Sequence, residues 1–182
     1  MSSRPAGTTV WLTGLPGAGK TTIANAIAEL VGDEDEVALL DGDELRRTLS
    51  ADLGFSRTDR DEHVRRVGFV AELLTRHGVL TLVPVIAPYA AAREAVREHH
   101  RRHGSPFVEV HVATSLAECV RRDPKGLYAR ARAGLLTGLT GVDDVYEQPA
   151  DPELRLDTGD LDATAAAREV LRLLPARNSQ RP

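Results

Sequence analysis

The sequence predicts a three-layer α/β fold, in which a mostly parallel sheet of about five strands lies between two layers of helices. Short apolar segments alternate along the chain with longer segments of helical periodicity, and this alternation is typical of βαβ units. The segment 79–86 is almost entirely apolar, as expected of a central strand that is buried on both faces. Polar and glycine-rich segments follow several strands, at the edge where parallel sheets bind ligands.

The first half of the chain contains three predicted helices and two predicted strands. Residues 8–12 are β-branched and aromatic, which favours a strand. A glycine-rich turn follows, and apolar residues at helical spacing then predict a helix over 20–31. Residues 36–40 form the second predicted strand, and a helix begins at residues 41–43. The segment 59–77 is a long amphipathic helix that ends at a glycine.

The second half continues the alternation of strands and helices. Pro84 lies within the apolar segment that begins at residue 79, where it predicts a bulge or the end of the strand. The segment 123–152 is rich in glycine, aspartate, proline and basic residues, and a stretch of this length without apolar periodicity is typical of a mobile lid. The remaining elements are helices over 90–103, 116–122 and 162–174 and strands over 107–112 and 154–156.

The composition is that of an ordinary globular protein. The chain has 182 residues, of which 42% are hydrophobic and 27% charged, and we expect one domain over 1–182 with flexible tails at 1–7 and 176–182. A net charge of −4 argues against nucleic-acid binding. We also expect no membrane association, because no apolar run approaches the length of about 20 residues that spans a bilayer. A cytoplasmic location follows by default, and the single cysteine, Cys119, leaves no disulfide framework.

Residues 14–21, with the sequence GLPGAGKT, match the P-loop pattern. Glycines let backbone N–H groups converge on phosphate oxygens, and the helix that follows adds its positive end. We expect Lys20 to reach the β- and γ-phosphates of ATP and Thr21 to hold Mg²⁺. An ordinary glycine turn is the alternative, but the strand before and the helix after favour the P-loop. The predicted ATP-binding residues here are Gly14, Gly17, Ala18, Gly19, Lys20, Thr21 and Thr22.

Two aspartates, Asp41 and Asp43, follow the second predicted strand. A carboxylate at this edge of the sheet can accept the proton of an acceptor hydroxyl or order a magnesium-bound water. The alternative is a helix N-cap followed by a second acid in the first turn. The adjacent P-loop favours the catalytic interpretation.

Six arginines form a basic cluster in the segment that follows these aspartates. Arginine forks bind phosphate or sulfate, although most of these side chains are expected to form a solvated helix face. We expect anion recognition of one or two near the aspartates. The six histidines show no metal-ligand pattern, and residues 99–103 read as an exposed helix end. The arginines are Arg46, Arg47, Arg57, Arg60, Arg65 and Arg66.

Several blocks of sequence in a fixed order carry a family resemblance. They are VWLTGLPGAGKTT, LLDGDELRRTLSADLGFSRTDRDEHVRRVG, APY, RDPKGLYARARAG, and LTGVDDVYEQP followed by LRLDT. Over residues 8–174 the chain resembles the adenylyl-sulfate kinases. These enzymes use MgATP to phosphorylate the 3′-hydroxyl of adenosine 5′-phosphosulfate (APS), which yields PAPS for sulfate assimilation. The resemblance implies a P-loop nucleoside-kinase-like fold and, as is frequent in the family, a homodimer.

The resemblance also implies roles for individual residues. Asp43 would be the general base, Asp41 would organise Mg²⁺, and Lys20 would complete the catalytic set. Arg46, Phe55 and Arg60 would hold APS, with the phenyl ring as an aromatic wall. The remaining two implied contacts are Lys125 in the lid, which would meet phosphates as the lid closes, and Arg122, which would face ATP.

The sequence departs from the family pattern at four acceptor-side positions. His63 replaces asparagine, Ala87 replaces serine, Leu139 replaces a phenylalanine that stacks on adenine, and Glu44 replaces asparagine. We still assign His63, Ala87 and Leu139 to the substrate site. Either the chain is an APS kinase with an altered acceptor pocket, or the same machinery acts on another nucleotide or nucleoside-like alcohol. A nucleotide-binding regulatory module without transfer activity is a third hypothesis, and the intact Lys20 argues against it.

Overall fold

A five-stranded parallel sheet forms the centre of the structure, which is a computed structural model that describes residues 7–32, 37–159 and 162–175. The strand order is β2-β3-β1-β4-β5, and each neighbouring pair is parallel. The predicted fold class is therefore confirmed. Within the described residues the strands are β1 (Thr9–Thr13), β2 (Val37–Leu39), β3 (Leu80–Pro84), β4 (Phe107–Val112) and β5 (Leu154–Leu156).

The helices begin and end close to the predicted positions, except for the helix over 127–132, which the sequence did not predict. Strand β3 ends at Pro84, as the proline predicts, since a proline has no N–H to donate to a neighbouring strand. The predicted start of the second strand, residue 36, lies outside the described residues. The described helices are α1 (Lys20–Val31), α2 (Gly42–Arg47), α3 (Arg57–Arg76), α4 (Ala90–Arg102), α5 (Leu116–Arg122), α6 (Leu127–Arg132) and α7 (Ala163–Leu173).

Apolar side chains fill both faces of the sheet. On one face Val10 and Leu12 of β1 pack against α1 and α7, in the same cluster as the completely buried Cys119. On the other face Trp11 packs in a second cluster with Val64 and Val96, which come from α3 and α4. Successive residues of a strand point to opposite faces, so β1 contributes to both clusters. This arrangement gives the three predicted layers.

The predicted lid contains structure that the sequence did not indicate. Helix α6 lies inside it, and its start is capped by Asp123, whose carboxylate accepts hydrogen bonds from the backbone N–H groups of Tyr128 at 3.1 Å and Ala129 at 2.9 Å. The hydroxyl of Tyr128 donates to the carbonyl oxygen of Pro16 at 2.8 Å. The lid segment is thus attached to the P-loop, and its mobility stays a prediction.

Two residues that were expected to be exposed or flexible, His100 and Gly7, are buried. His100, expected on an exposed helix end, is completely buried. Its Nε2 lies 2.9 Å from Thr9 Oγ1 and its Nδ1 lies 2.9 Å from the carbonyl oxygen of Val96. Gly7, at the end of the predicted N-terminal tail, is also buried. The other tail residues, 1–6 and 176–182, lie outside the described part of the chain. Among the described helices none is long and apolar enough to cross a membrane.

Candidate active site

A cavity of about 770 Å³ opens at the carboxyl ends of the strands. The P-loop, the start of α2, the start of α3, residues 84–88 and the segment that joins α5 to α6 form its walls. All the predicted site residues line it except Gly14, Ala18 and Leu139. This is the edge of a parallel sheet where ligands are expected.

The P-loop leads directly into helix α1. Gly19 precedes the helix with φ of 100°, a conformation that side-chain-bearing residues rarely adopt. Within the described residues, no side chain caps the start of α1, so its first backbone N–H groups face the cavity without a protein acceptor. An uncapped helix start of this kind binds anionic groups such as phosphate.

Lys20 is the buried cation of the P-loop. Its side chain is 8% exposed, and Nζ donates hydrogen bonds to the carbonyl oxygens of Gly14 at 2.9 Å and Leu15 at 2.8 Å. Burial lowers the pKa of Lys20 from its ordinary 10.5 to about 8. A poorly solvated lysine gains more interaction free energy on binding phosphate oxygens than an exposed lysine does, because less hydration has to be removed.

Asp41 caps helix α2, which is one of the two sequence interpretations, and it also faces Thr21 of the P-loop. One carboxylate oxygen caps α2 by accepting hydrogen bonds from the backbone N–H groups of Asp43 at 2.9 Å and Glu44 at 3.1 Å. The other oxygen lies 3.4 Å from Thr21 Oγ1. A hydroxyl and a carboxylate side by side next to a phosphate site are the oxygen ligands that Mg²⁺ prefers, so the donor set fits this ion.

Asp43 stands on the first turn of α2, between the P-loop and the rest of the cavity. Its carboxylate forms an ion pair with Lys125 from the segment that joins α5 to α6. The two side chains are 64% and 60% exposed, and ion pairs between solvated side chains are weak. The carboxylate is therefore free to exchange this partner for a ligand hydroxyl.

Arg122 reaches the cavity from the end of α5. Its Nε donates to Glu118 Oε1 at 2.7 Å, and a terminal nitrogen donates to the carbonyl oxygen of Thr158 at 2.9 Å. These bonds hold the guanidinium in one position on the cavity wall. Arg122 therefore lines the same cavity as the P-loop, and its contact with ATP stays a prediction.

The opposite end of the cavity combines an aromatic ring with two arginines. Phe55 is 67% exposed, and the guanidinium carbons of Arg46 and Arg60 lie 5.0 and 5.6 Å from its ring centroid. Arg60 is buried and donates to the carbonyl oxygens of Phe55 at 3.0 Å and Gly138 at 2.6 Å. An exposed ring beside cations is suited to a planar, anionic ligand.

Two of the four unusual positions line the cavity. His63 is buried, and its Nδ1 lies 2.9 Å from Ser50 Oγ. Burial and the neighbouring Arg46 lower the pKa of His63 to about 4, so the ring is neutral at pH 7. Ala87 has a positive φ of 43°, and its carbonyl oxygen accepts a hydrogen bond from Arg93 at 2.6 Å.

The other two unusual positions lie away from the cavity. Glu44 is exposed on α2 and does not contribute to the cavity wall. Leu139 is 7% exposed and packs in the apolar cluster beneath the P-loop. The structure therefore does not bring Leu139 to the substrate site that the sequence assigned to it.

Sequence reasoning missed several residues that form the cavity wall. Tyr128 belongs to the RDPKGLYARARAG block, and its position there was a usable signal. Val64 and Val85 also line the cavity, and no local pattern indicates this, because their placement depends on how α3 and the segment after β3 pack. Arg47 and Pro88 line it too, and they belong to the basic cluster and to the APY block that the sequence singled out.

The cavity has a phosphate-binding end and a basic, aromatic end, and a carboxylate stands between them. A kinase requires this division, because it must hold a nucleoside triphosphate and an acceptor hydroxyl at the same time. The fold and the site thus define a P-loop kinase, a phosphotransferase.

Comparison with known proteins identifies the family. The adenylylsulphate kinase family model matches residues 6–157, and the chain belongs to this family. An adenylyl-sulfate kinase of Picosynechococcus sp. is 54% identical over 153 residues, which are 84% of each chain. The resemblance seen in the sequence is confirmed.

Two solved structures place the fold in the same family. The Mycobacterium tuberculosis APS kinase CysC in complex with AMPPNP and APS has a TM-score of 0.89 and 48% sequence identity, over 93% of this chain and 98% of that chain. A hexameric APS kinase from Thiobacillus denitrificans has a TM-score of 0.68 and 37% identity, over 93% of this chain and 29% of that chain.

Proposed function

We propose that this chain transfers the γ-phosphoryl group of ATP to the 3′-hydroxyl of APS, which yields PAPS and ADP. The observation that carries the proposal is the single cavity that joins the P-loop to the Phe55 end. A close structural relative binds AMPPNP and APS together. A cavity of about 770 Å³ is also within the range of nucleotide-sized pockets.

The P-loop end holds the phosphates of ATP. Backbone N–H groups at the start of α1 and the ammonium group of Lys20 face the negative charge of the β- and γ-phosphates. Arg122 supports the same end from α5. Thr21 and Asp41 would hold Mg²⁺, and the bound ion would neutralise phosphate charge.

Asp43 acts as the general base. Its carboxylate accepts the proton of the acceptor hydroxyl while that oxygen forms a bond to the γ-phosphorus. The bond between the γ-phosphorus and the bridging oxygen of ADP breaks, and the electron pair leaves with ADP. Asp43 must first separate from Lys125, which then turns to the phosphates.

Phe55 and Arg46 hold the acceptor. The exposed ring offers a face on which adenine stacks, and Arg46 supplies a charge for the phosphosulfate group. Arg60 donates to the carbonyl oxygens of Phe55 and Gly138 and to Thr140 Oγ1, so it positions Phe55 and adds its positive charge to this end of the cavity. His63 and Ala87 line the same end.

The segment 123–152 acts as a lid, and Lys125 and Tyr128 couple it to α2 and the P-loop. Its closure excludes water, which would otherwise hydrolyse ATP without an acceptor. We propose a single domain over 1–182 and a homodimer in solution. Light scattering after size exclusion gives the mass, and a monomer or a hexamer, the state named for the Thiobacillus denitrificans relative, would contradict the dimer.

A changed acceptor is the second candidate. It is supported by two of the unusual residues, His63 and Ala87, which line the acceptor end. Another nucleotide or nucleoside-like alcohol would use the same P-loop and the same base. The variant His63→Asn with Ala87→Ser should raise APS turnover only if the natural acceptor is a different compound.

The experiment that tests the function is ADP release by the purified chain with MgATP, with and without micromolar APS. We expect release that depends on APS, and a product with a phosphorus-31 signal of a 3′-phosphate. Lys20→Ala is the control that removes phosphate stabilisation. Binding of ATP without an APS response would refute the proposed acceptor and lead to a panel of nucleoside-like alcohols.

A further inference from the structure

Three potential metal ligands meet on the outer side of the molecule, away from the cavity. Glu72 comes from α3, and His99 and His103 come from the end of α4 and the residue that follows it. Each residue offers one ligand atom, and these atoms lie within 4.8 Å of one another. The three residues contribute nothing to the cavity wall, so the cluster is separate from the kinase site.

The packing of α3 on α4 creates this cluster. A side-chain carbon at Gly68 would lie 2.5 Å from Val96 Cγ2, so only glycine permits the close approach of the helices here. One turn further along α3 stands Glu72, and about one turn further along α4 stands His99. His103 follows on the same face of α4, four residues after His99.

The carboxylate of Glu72 lacks a full set of partners. The residue is 1% exposed, and Oε1 accepts a hydrogen bond from Ser105 Oγ at 2.8 Å. Within the described part of the chain, Oε2 has no hydrogen-bond partner, and the same is true of the buried Nε2 of His99. These two atoms lie 3.7 Å apart. Buried polar atoms are nearly always bonded, so these two atoms, which face each other unbonded, are placed to bind one shared cation.

The hydrogen bond that His103 makes through Nδ1 leaves its Nε2 available as a metal ligand. Its Nδ1 lies 2.8 Å from the carbonyl oxygen of His99. A carbonyl oxygen only accepts, so Nδ1 carries the proton and Nε2 carries the free electron pair. Metal-binding histidines commonly donate their second ring N–H to a backbone carbonyl in this way.

The nearby arginine does not complete the site. Arg76 Nε lies 3.8 Å from Glu72 Oε2, and the arginine side chain is 41% exposed. This distance is too long for a hydrogen bond, so Arg76 balances charge without bonding the oxygen. A protonated His99 would likewise leave a 3.7 Å gap. A cation between the ligand atoms satisfies both groups at once.

We propose that Glu72, His99 and His103 bind a divalent first-row transition-metal ion, for which Zn²⁺ is the probe. Two imidazoles and one carboxylate are a common donor set for such ions, with water in the fourth position. Bonds of 2.0 to 2.1 Å in a tetrahedron put ligand atoms about 3.3 Å apart. The separation of His99 and Glu72 is 3.7 Å and the three ligand atoms lie within 4.8 Å of one another, so a small rotation of the exposed His103 ring is enough to complete the site. The ion joins the ends of α3 and α4 and stabilises that side of the fold.

The test is Zn²⁺ binding by the tag-free chain after treatment with a chelator, measured by competition with a chromogenic chelator. Millimolar Mg²⁺ occupies oxygen-ligand sites such as Thr21 with Asp41 without competing for imidazole. We expect one Zn²⁺ per chain. At 100 times the dissociation constant it should raise the melting temperature by about 5 °C or more.

Matched variants locate the ion. His103→Ala changes an exposed side chain, and Glu72→Gln keeps the shape of the buried one, and each should weaken Zn²⁺ binding by at least tenfold. His77→Ala, at another exposed histidine, should bind as the unaltered chain does. Equal affinity in all variants, or no binding at millimolar Zn²⁺, would overturn the proposal.

Cobalt gives a readout that does not depend on whether a variant folds. The unaltered chain with Co²⁺ should show the visible absorption of a tetrahedral site, and added Zn²⁺ should remove it. An octahedral spectrum would refute the proposed ligand set. Phosphoryl transfer by His103→Ala should equal that of the unaltered chain.

Discussion

Lys125 forms an ion pair with Asp43, which joins the lid segment to the first turn of α2 across the mouth of the cavity. In this arrangement Lys125, which we propose to bind phosphate, neutralises Asp43, which we propose as the general base. Because both side chains are largely exposed, the pair is weak enough to separate when ATP and the acceptor enter. In the proposed mechanism this pair has to separate before Asp43 can accept the acceptor proton and Lys125 can meet a phosphate.

Asp43→Asn should lower turnover about 100-fold or more, because the amide keeps the shape of the carboxylate but cannot accept the proton. Steady-state ADP release with APS measures this loss. Glu44→Gln is the matched control, since it removes the adjacent exposed carboxylate outside the cavity. Unchanged turnover in Asp43→Asn would contradict the role of the base, and equal losses in both variants would point to a disturbance of α2.

The affinity for ATP should fall as the pH rises above about 8. Burial lowers the pKa of Lys20 to about 8, so the ligand-free chain loses this charge above that pH, whereas the phosphates favour the charged form. The loss of one charge can weaken ATP binding by at most about tenfold per pH unit. Titration calorimetry from about pH 7 to about pH 9.5 measures it. Lys20→Arg keeps its charge over this range, and a pH slope equal to that of the unaltered chain would show that another group titrates.

Phe55→Ala should raise KM for APS about tenfold with little change in KM for ATP, because the variant removes the aromatic face on which adenine stacks. The ring is 67% exposed, so the melting temperature should stay nearly constant. Phe69→Ala is the matched control at a ring that is 51% exposed and lies outside the cavity. Equal KM values for APS in both variants would exclude the stacking role.

The free energy of unfolding should decrease as the pH falls from 6.5 toward 4. Burial lowers the pKa of His63 from 6.5 to about 4, so the unfolded chain binds more protons in this window and acid favours it. His63→Asn should flatten the slope in urea titrations, but only in part, because burial also lowers the pKa of His111 to about 4. His77→Asn alters an exposed ring and should retain the slope. An unchanged slope in His63→Asn would show that this ring is solvated.

The parts of the site that could be predicted are those in which neighbouring residues act together. Lys20 and Thr21 follow the glycines of one loop directly, and Asp41 and Asp43 come shortly after strand β2. The positions of the strands and of every described helix except α6 were also predictable, since apolar periodicity follows burial in this sheet. Local sequence was sufficient to predict a site residue wherever the local backbone alone determines the position of its side chain.

The parts that could not be predicted depend on long-range packing. His100 reads as part of a polar helix end, but the approach of β1 buries it beside Thr9. Leu139 stands at a position assigned to the acceptor, whereas the packing of its loop on the P-loop turns it into the core. The sequence showed no metal-ligand pattern at His99 and His103, because Glu72, the carboxylate beside them, lies on a different helix.

The buried position of Cys119 makes the predicted movement of the lid directly testable. Its thiol is completely enclosed, and burial raises its pKa, so it reacts poorly with alkylating dyes. The chain contains no other cysteine. A substitution such as Arg130→Cys on the exposed side of α6 would therefore create a single reactive position. One fluorophore attached there could follow opening and closing in real time, and the native thiol could remain in place.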